Sequence, residues 1–382
     1  MNNWELITTE PWVLDTIRFG LRLPWAQGPP PTNITKKRRQ VPLEDREFLL
    51  MSQKISEWEH DFVITRVPQI LMDEIFVSTI FPVPKGPDDV RPVINLRDLN
   101  EYLVYEHFKM ESLQSAVDLL QTNDYMTKVD IKSAFQHIPI HKDDQKYLVF
   151  VWEGKTFMYR TAPFGASICP RVFTKIMKPV MARLRSQGIK LVIYIDDILV
   201  IASSKEACEQ HTKMLTTLLE QLGFLVSWEK SIVTPTQSVE FLGMILDSRT
   251  MQVCMPPKKV NDLKTRVAYL SRTRTVTVRD LAQVLGKMSS VAPAISCSFS
   301  AASAKISTPP TSSLLSRLLL LLLDVLTAHP LPRRLLRRSA AVPLALGTSV
   351  SGATNCNCHH DILSRRVLMI LCFLTSLNFS FL

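Results

Sequence analysis

The sequence lacks the features of a secreted, membrane-spanning or disulfide-stabilised protein. Its seven cysteines are scattered and odd in number, which is typical of a reducing intracellular compartment and not of a disulfide scaffold. No basic segment followed by an apolar segment stands at the N-terminus, so no signal peptide is evident. The mostly apolar residues 367–382 are too few, and too often interrupted by Thr, Ser and Asn, for a spanning helix. We therefore expect an intracellular location, in the cytoplasm or nucleus, and no membrane partner.

A basic charge excess is present, but it is unevenly distributed. The chain has 45 Lys and Arg against 35 Asp and Glu, which gives a net charge of +10. Residues 305–382 contain eight of the basic residues, two aspartates and no glutamate, so more than half of the excess belongs to that segment. Overall charge alone is therefore a weak argument for nucleic-acid binding.

Composition divides the chain into four predicted regions. Its 382 residues and hydrophobic content of 46% allow two or three domains. Residues 1–42, which include a Gly-Pro-Pro-Pro run, are predicted to be a loose N-terminal extension or linker. Residues 43–250 carry strand and helix patterns, and residues 251–304 carry further amphipathic helical patterns. Residues 305–382 show no periodic core elements, and we expect a disordered or out-of-frame tail.

Periodic apolar patterns predict the individual elements. The predicted helices cover residues 43–58, 112–121, 170–185, 206–222, 257–270 and 278–290. The predicted strands form hairpins over 77–99, 148–159 and 191–200, a strand over 125–131, and a later pair whose second member is a single strand over 239–246.

Two adjacent aspartates interrupt the apolar segment 191–200. Apolar β-forming residues flank Asp196 and Asp197, so we predict two short strands with the acidic pair at the turn between them. Unpaired carboxylates in apolar surroundings are unfavourable, and a divalent cation bound through their oxygen atoms would remove that cost. An acidic hairpin tip in water is the alternative interpretation.

A third carboxylate, Asp130, ends the predicted strand 125–131. Beside the Asp196-Asp197 turn in one sheet, it would complete a cluster able to hold two divalent ions about 3.5–4 Å apart. Such a cluster suits phosphoryl transfer, which needs carboxylates, metals and cations more than covalent help from the protein. Taken alone, Asp130 could equally cap the helix that follows it.

Short motifs in a fixed order give the most specific signal. They are Arg91-Pro92-Val93-Ile94-Asn95 with Leu99-Asn100, Val129-Asp130-Ile131-Lys132-Ser133-Ala134-Phe135, Ala162-Pro163-Phe164-Gly165-Ala166-Ser167 with Pro170 and Phe173, Tyr194-Ile195-Asp196-Asp197, Trp228-Glu229-Lys230, and Phe241-Leu242-Gly243. Each motif is weak or moderate alone, but their order and spacing across residues 60–290 are specific. On these motifs the chain resembles the reverse transcriptases of retroelements. Within that family, the opening Trp4 to Trp12, residues 91–96 and residues 107–112 are most similar to DIRS-like retrotransposons, with gypsy-type elements next.

The resemblance implies an α+β fold of the right-hand polymerase type. Fingers would cover residues 45–125 and 140–165, a palm with an antiparallel sheet would cover 126–139 and 166–247, and a thumb would follow residue 255. The implied activity is RNA-directed DNA polymerase. Such a nucleotidyltransferase uses dNTPs to extend a primer 3′-OH on an RNA or DNA template. The implied partners are this template–primer and dNTPs, and the oligomeric state is left open.

The resemblance also assigns a metal centre and a catalytic cation. Asp130, Asp196 and Asp197 would hold two Mg²⁺ ions, with Mn²⁺ as a substitute. Lys230 would donate a proton to the departing pyrophosphate, although a surface lysine is an equally good interpretation of that residue alone.

Five further residues are assigned to the incoming nucleotide. Lys85 and Arg91 would grip the triphosphate, with a surface salt bridge as the alternative for each. Phe135 would stack under the sugar and exclude a 2′-hydroxyl, although an isolated aromatic residue is more often part of a core. Phe164 and Gly165 would approach the nucleotide and template, with glycine required where the backbone passes closely.

The last assignments concern the primer and the end of the chain. Phe241, Leu242 and Gly243 would brace the primer strand. A ribonuclease H domain usually follows in such elements, but after Asp280 only two aspartates and no glutamate remain, so that activity is not supported.

Two other functions compete with polymerase activity. One is a catalytically silent retroelement relic that only binds nucleic acid. The other is a two-metal nuclease, which also uses clustered carboxylates but explains neither the hairpin over 77–99 nor Phe135.

Overall fold

A computed structural model describes residues 2–32, 41–86, 88–272, 277, 279–280, 282–284 and 286–287. Within these residues two compact units are distinguished, the first ending at Val260 and the second beginning at Asn261. The predicted tail, residues 305–382, and part of the predicted helix 278–290 lie outside the described residues.

The α-helices in the described residues are α1 (Asn2–Glu5), α2 (Pro11–Phe19), α3 (Asp45–His60), α4 (Arg97–Asn100), α5 (Leu113–Leu119), α6 (Cys169–Arg185), α7 (Lys205–Gln221) and α8 (Pro257–Arg272). Short 3₁₀ helices lie at Gln69–Leu71, Ala134–His137 and Gln145–Tyr147. The strands are β1 (Ile64–Arg66), β2 (Val77–Pro84), β3 (Val90–Asn95), β4 (Tyr125–Asp130), β5 (Val149–Trp152), β6 (Lys155–Tyr159), β7 (Lys190–Tyr194), β8 (Asp197–Ala202), β9 (Ile232–Thr236), β10 (Ser238–Phe241), β11 (Met244–Asp247) and β12 (Gln252–Cys254).

A five-stranded sheet, which we call the fingers sheet, lies within the residues predicted to form the fingers. Its strand order is β1-β6-β5-β2-β3, and its pairs are antiparallel except β2 with β5. The β2–β3 hairpin forms where two alternating segments flank the Pro- and Gly-containing residues 85–89, which cannot continue a strand. The predicted hairpins over 77–99 and 148–159 are therefore both present.

A four-stranded antiparallel sheet of order β7-β8-β4-β9, which we call the palm sheet, lies mostly within the residues predicted to form the palm. Its inner strands are apolar on both faces, and Met126, Val129, Ile198 and Val200 are fully buried. Helices α6 and α7 pack against this sheet with faces that repeat every three or four residues. The side chain of Ser204 caps α7 by accepting a hydrogen bond from the Ala207 amide at 3.1 Å.

A three-stranded sheet of order β10-β11-β12 corrects one prediction. The single strand predicted over 239–246 is a hairpin, β10–β11, broken at Leu242 and Gly243. Both turn residues have positive φ, 50° and 73°, which reverses the chain within two residues. The apolar pattern on either side continues through the turn, so periodicity alone does not show the break.

The N-terminal segment corrects another prediction, because residues 2–26 pack onto the first unit. Trp4, Val13, Leu21 and Leu23 are each at most 4% exposed. Leu21 pairs with Ile140 in a parallel bridge. Aromatic and aliphatic residues at helical spacing in α1 and α2 find an apolar surface formed by distant parts of the chain, which a local pattern does not reveal.

The second unit is helical where it is described. Residues 261–272 complete α8, in which Arg266 Nε donates to Asp262 Oδ1 at 3.4 Å. Thr277 and Asp280 form a reciprocal capping box. Among all described residues, no helix combines the length and apolar character needed to cross a bilayer.

Candidate active site

The β7–β8 hairpin places the acidic pair at the end of the palm sheet. Tyr194 and Asp197 are the last paired residues, so Ile195 and Asp196 form the two-residue turn. Ile195 has φ of +54°, an unfavourable conformation for a β-branched residue. The Ile131 amide donates to the Asp196 carbonyl oxygen at 2.8 Å, which fixes the turn to the segment after β4.

Strand register brings Asp130 beside the acidic pair. β4 and β8 are antiparallel neighbours, and Asp130 lies directly opposite Asp197. Directly opposite residues have Cα atoms about 4.5–5.5 Å apart and side chains on the same face. The three aspartates therefore form one group, which we call the aspartate cluster.

Burial and mutual repulsion disfavour the charged form of this cluster. Partial burial is the main cause that raises the pKa of Asp196, and the charges of Asp197 and Asp130 add to it. Burial also raises the pKa of Asp197, partly opposed by the neighbouring Lys128. The ionised cluster would consequently be stabilised by a bound cation.

Two lysines contact the cluster. Lys230 Nζ lies 3.3 Å from Asp130 Oδ1, and Lys128 Nζ lies 3.6 Å from Asp197 Oδ1. The Lys230 side chain is 55% exposed, whereas that of Lys128 is 20% exposed. Sequence reasoning missed Lys128, although its position two residues before Asp130 on a strand places both side chains on one face.

The donor chemistry of the cluster suits a divalent cation. Within the residues that the structure describes, no three His, Cys, Asp or Glu side chains are grouped closely enough to form a metal centre as they stand. Two of the three aspartates contact lysine ammonium groups instead. Carboxylate oxygens are nevertheless the ligands that Mg²⁺ takes, so Asp130, Asp196 and Asp197 are the residues that would hold it.

Three aromatic rings in tilted and edge-on contact, which we call the aromatic cluster, lie next to the aspartate-bearing segment. The Phe135 ring contacts Phe164 and Phe173, with centroids 5.1 and 6.1 Å away. The guanidinium carbon of Arg91 lies 5.3 Å from the Phe164 centroid, a cation–π contact between β3 and the loop after β6. The structure thus brings together three of the five residues assigned to the nucleotide.

Lys85 and Gly165 have other neighbours. Lys85 lies at the tip of the β2–β3 hairpin, where its Nζ contacts Asp89 Oδ2 at 3.1 Å. This contact is the surface ion pair given as the alternative for Lys85. Gly165 has φ of +113°, and a Cβ there would lie 2.6 Å from the Ile94 carbonyl oxygen. Glycine is therefore required by close approach to β3, before any substrate is considered.

Asn100 fixes the Gly165 loop from α4. Its Nδ2 donates to the Gly165 carbonyl at 2.9 Å, and its Oδ1 accepts from the Ser167 amide at 2.9 Å. Sequence reasoning gave Asn100 no role of its own. The amide side chain of Asn100 can bind one backbone donor and one backbone acceptor at once. That capacity is the feature of the sequence from which its role could have been predicted.

The predicted primer-bracing residues form the β10–β11 turn. Phe241 is fully buried in an apolar cluster with Met126 and Leu199, so its side chain supports the hairpin from inside. Leu242 and Gly243 form the half-buried tip, where Lys259 Nζ donates to the Gly243 carbonyl at 2.8 Å. The tip can present backbone groups, whereas the Phe241 ring cannot reach a ligand.

Comparison with known sequences gives a family match over part of the chain. Residues 83–246 match the family described as reverse transcriptase (RNA-dependent DNA polymerase). The Tf2-7 and Tf2-3 transposon polyproteins of Schizosaccharomyces pombe are each 25% identical over 216 residues. These alignments cover 56% of this chain but only 16% of either polyprotein.

Comparison with solved structures confirms the predicted fold. A foamy viral protease-reverse transcriptase in complex with dsDNA has a TM-score of 0.58 at 20% identity, covering 81% of this chain and 66% of that one. A foamy viral protease-reverse transcriptase in complex with an RNA/DNA hybrid has a TM-score of 0.56 at 20% identity, with coverages of 78% and 41%. The mixed helix-and-sheet architecture is thus the polymerase fold of these proteins.

Proposed function

We propose that this chain, in which residues 83–246 form a reverse transcriptase domain of the retrotransposon kind, is an RNA-directed DNA polymerase. The observation that carries the proposal is the register of β4 and β8, which sets Asp130 opposite Asp197 beside Asp196. Acidic residues from segments some sixty positions apart converge in the way that nucleotidyl transfer requires.

The chemistry divides between the carboxylates and a lysine. Asp130, Asp196 and Asp197 would hold two Mg²⁺ ions, for which Mn²⁺ would substitute. Such ions stabilise charge on the attacking and leaving oxygen atoms. The primer 3′-hydroxyl would lose its proton to solvent, and its oxygen would form a bond to the α-phosphorus of the dNTP as the bond to pyrophosphate breaks. Lys230 would protonate the departing pyrophosphate, and its contact with Asp130 at 3.3 Å supports this role.

The aromatic cluster and nearby cations would select the incoming nucleotide. Arg91 stands on the fingers sheet and would bind the triphosphate through its guanidinium group. Phe135 contacts Phe164 and Phe173 and is 7% exposed, and it would oppose a 2′-hydroxyl. Lys85 would assist at the hairpin tip, after exchanging its contact with Asp89 for a phosphate oxygen.

The nucleic-acid partner is proposed to be a template–primer duplex. The similar foamy viral proteins were solved with dsDNA and with an RNA/DNA hybrid. In this chain the β10–β11 tip, Leu242 and Gly243, would brace the primer through its backbone. The regional boundaries given by the sequence, with fingers and palm in residues 43–250 and a thumb from residue 251, form part of the same proposal.

Primer extension on poly(rA)–oligo(dT) with dTTP and Mg²⁺ tests the function. We expect extension by the full chain and none by Asp196→Asn, with both proteins binding the duplex. Binding without extension by the unaltered, folded chain would favour the silent relic. Duplex degradation without dTTP incorporation would favour the two-metal nuclease.

A narrower affiliation and a location complete the proposal. The segment Trp4 to Trp12 and residues 91–96 and 107–112 support a DIRS-like element. A tyrosine-recombinase reading frame beside the gene would support this affiliation, and an integrase frame would contradict it. The odd, scattered cysteines support an intracellular site in the cytoplasm or nucleus, which imaging of a tagged chain would check.

A further inference from the structure

A lysine lies inside the palm sheet, between the aspartate cluster and the apolar core. Lys128 is in β4, opposite Leu199 of β8 and Ile232 of β9. On the same face of β4, Asp130 belongs to the aspartate cluster and Met126 lies in the apolar core. Lys128 therefore occupies the last polar position before that core begins.

The two cluster lysines differ in freedom of movement. Lys230 lies within the turn at Ser227–Ser231 and its side chain is mostly exposed, so it can leave Asp130 when a ligand arrives. The Lys128 backbone is fixed by strands on both sides, and only 20% of its side chain is exposed. Its ammonium group is consequently confined to the neighbourhood of Asp197.

A half-buried lysine at a central strand position calls for a reason. An apolar residue would continue the buried face that Met126 and Leu199 form, without the cost of desolvating a charge. The position instead supplies a fixed positive charge to a group of three carboxylates. Among the residues that the structure describes, its ion-pair partner is Asp197, whose Oδ1 lies 3.6 Å from Lys128 Nζ.

We propose that Lys128 is a positioning residue that holds the Asp197 carboxylate and, by offsetting its charge, sets how strongly the aspartate cluster binds divalent cations. The proposal rests on the polymerase function proposed above. Asp130 and Asp196 then carry the larger share of metal binding. Asp197 stays oriented toward β4, and its charge is partly balanced before any cation binds.

The test compares Lys128→Met, Lys128→Arg and a matched control, Lys190→Met, in the full chain. Lys190 lies in β7 of the same sheet, hydrogen-bonds to Gln121, and its Nζ lies 3.9 Å from Oδ2 of the buried Asp124, so it also pairs with a carboxylate, but one outside the aspartate cluster. The first measurement is the melting temperature in EDTA and its rise with added MgCl₂, which needs no catalysis. The second is primer extension as a function of Mg²⁺ concentration.

We expect Lys128→Met to melt lower in EDTA and to gain more from Mg²⁺ than the unaltered chain. Its half-saturating Mg²⁺ concentration should fall about fivefold, the effect of removing a partly screened ion pair. Lys128→Arg should behave like the unaltered chain. Lys190→Met, which removes the contact with the buried Asp124, should lower the melting temperature in EDTA but leave the response to Mg²⁺ unchanged. Identical Mg²⁺ responses in Lys128→Met and the unaltered chain, in both measurements, would overturn the proposal.

A double variant covers the case in which Lys128→Met fails to fold in EDTA. If the lysine serves Asp197, adding Asp197→Asn should restore folding, because the uncompensated carboxylate is gone. Additive loss in the double variant would overturn the proposal. A chain that synthesises no DNA but still shows the Lys128-dependent Mg²⁺ shift would refute the polymerase function and leave this inference standing.

Discussion

Two tight hairpins of the first unit solve the same geometric problem in opposite ways. The β10–β11 turn uses Leu242 and Gly243, so one of its two positive-φ positions is occupied by the residue best suited to it. The β7–β8 turn gives positive φ to Ile195, a residue type that rarely adopts it. The first hairpin is built for stability, while the second accepts strain beside the aspartate cluster.

The pKa values of acidic residues in the two hairpins are shifted in opposite directions. Burial alone would raise the pKa of Asp247 in β11, but hydrogen bonds from Arg249 and from the amides of residues 249 and 250 outweigh it and lower that pKa. In the β7–β8 hairpin, burial and like charges raise the pKa of Asp196. Favourable carboxylate contacts thus lie in the supporting hairpin and unfavourable ones at the site, as is common for functional residues.

The largest effect should come from exchanging a turn residue in each hairpin for asparagine. Asp196→Asn should reduce primer extension by at least about 100-fold, because a carboxylate that binds the metal is lost. Leu242→Asn should leave extension within a few-fold, since asparagine tolerates positive φ. Steady-state extension rates at saturating duplex would measure both, and equal losses would remove the distinction between the hairpins.

Removing the supporting carboxylate should affect stability and not chemistry. Asp247→Asn should lower the free energy of unfolding by about 1 kcal/mol at pH 7, from the lost charge-assisted hydrogen bonds. Because the folded-state pKa is lowered, this contribution is present above the ordinary value of 3.8 and is lost as pH falls through the folded-state pKa. Urea denaturation at falling pH would show whether the variant and the unaltered chain converge.

Removing the site carboxylate Asp196 should change the free energy of unfolding in the opposite direction. In EDTA at pH 7, Asp196→Asn should raise the free energy of unfolding by about 1 kcal/mol, because repulsion and desolvation are relieved. The raised folded-state pKa makes the ionised group unfavourable above that pKa, so the advantage should shrink as pH falls toward 3.8. A variant less stable than the unaltered chain at pH 7 would contradict the proposed electrostatic conflict.

The smallest effect concerns the strained turn itself. Ile193 and Ile195 are both half-buried against the core, but only Ile195 has positive φ. Asparagine at 195 should therefore cost about 1 kcal/mol less than asparagine at 193, since strain relief offsets lost packing. Urea denaturation of the two variants measures the difference, and equal costs would show that the turn stores no strain.

The parts of this fold that follow local rules are predictable from the sequence. Apolar residues at helical spacing predict helices α6 and α7, and the Pro- and Gly-containing turn predicts the β2–β3 hairpin. The apolar segments on both sides of Asp196 likewise predict its position between two strands. The match of motif order then linked Asp130 to it across the sequence.

What escaped prediction depends on distant partners. Strand β9 is mostly exposed and contains Pro235, so the sequence predicts a strand before residue 239 without its bounds, which its pairing with β4 defines. The role of Asn100 requires knowing that the Gly165 loop lies beside α4, and that of Lys128 requires the register of β4 against β8. Local pattern carries no information on any of these contacts.

The docked N-terminal segment has a consequence for anyone producing this protein. Trp4 donates to the Leu222 carbonyl, the Leu23 amide donates to Asp144, and Leu21 bonds along the strand-like segment at Ile140. A recombinant fragment trimmed to the recognised residues 83–246 would expose to water the apolar surface that the N-terminal segment covers. Exposed apolar surface of this kind promotes aggregation. Workable expression boundaries should therefore include residues 2–26, well ahead of the region that family comparison detects.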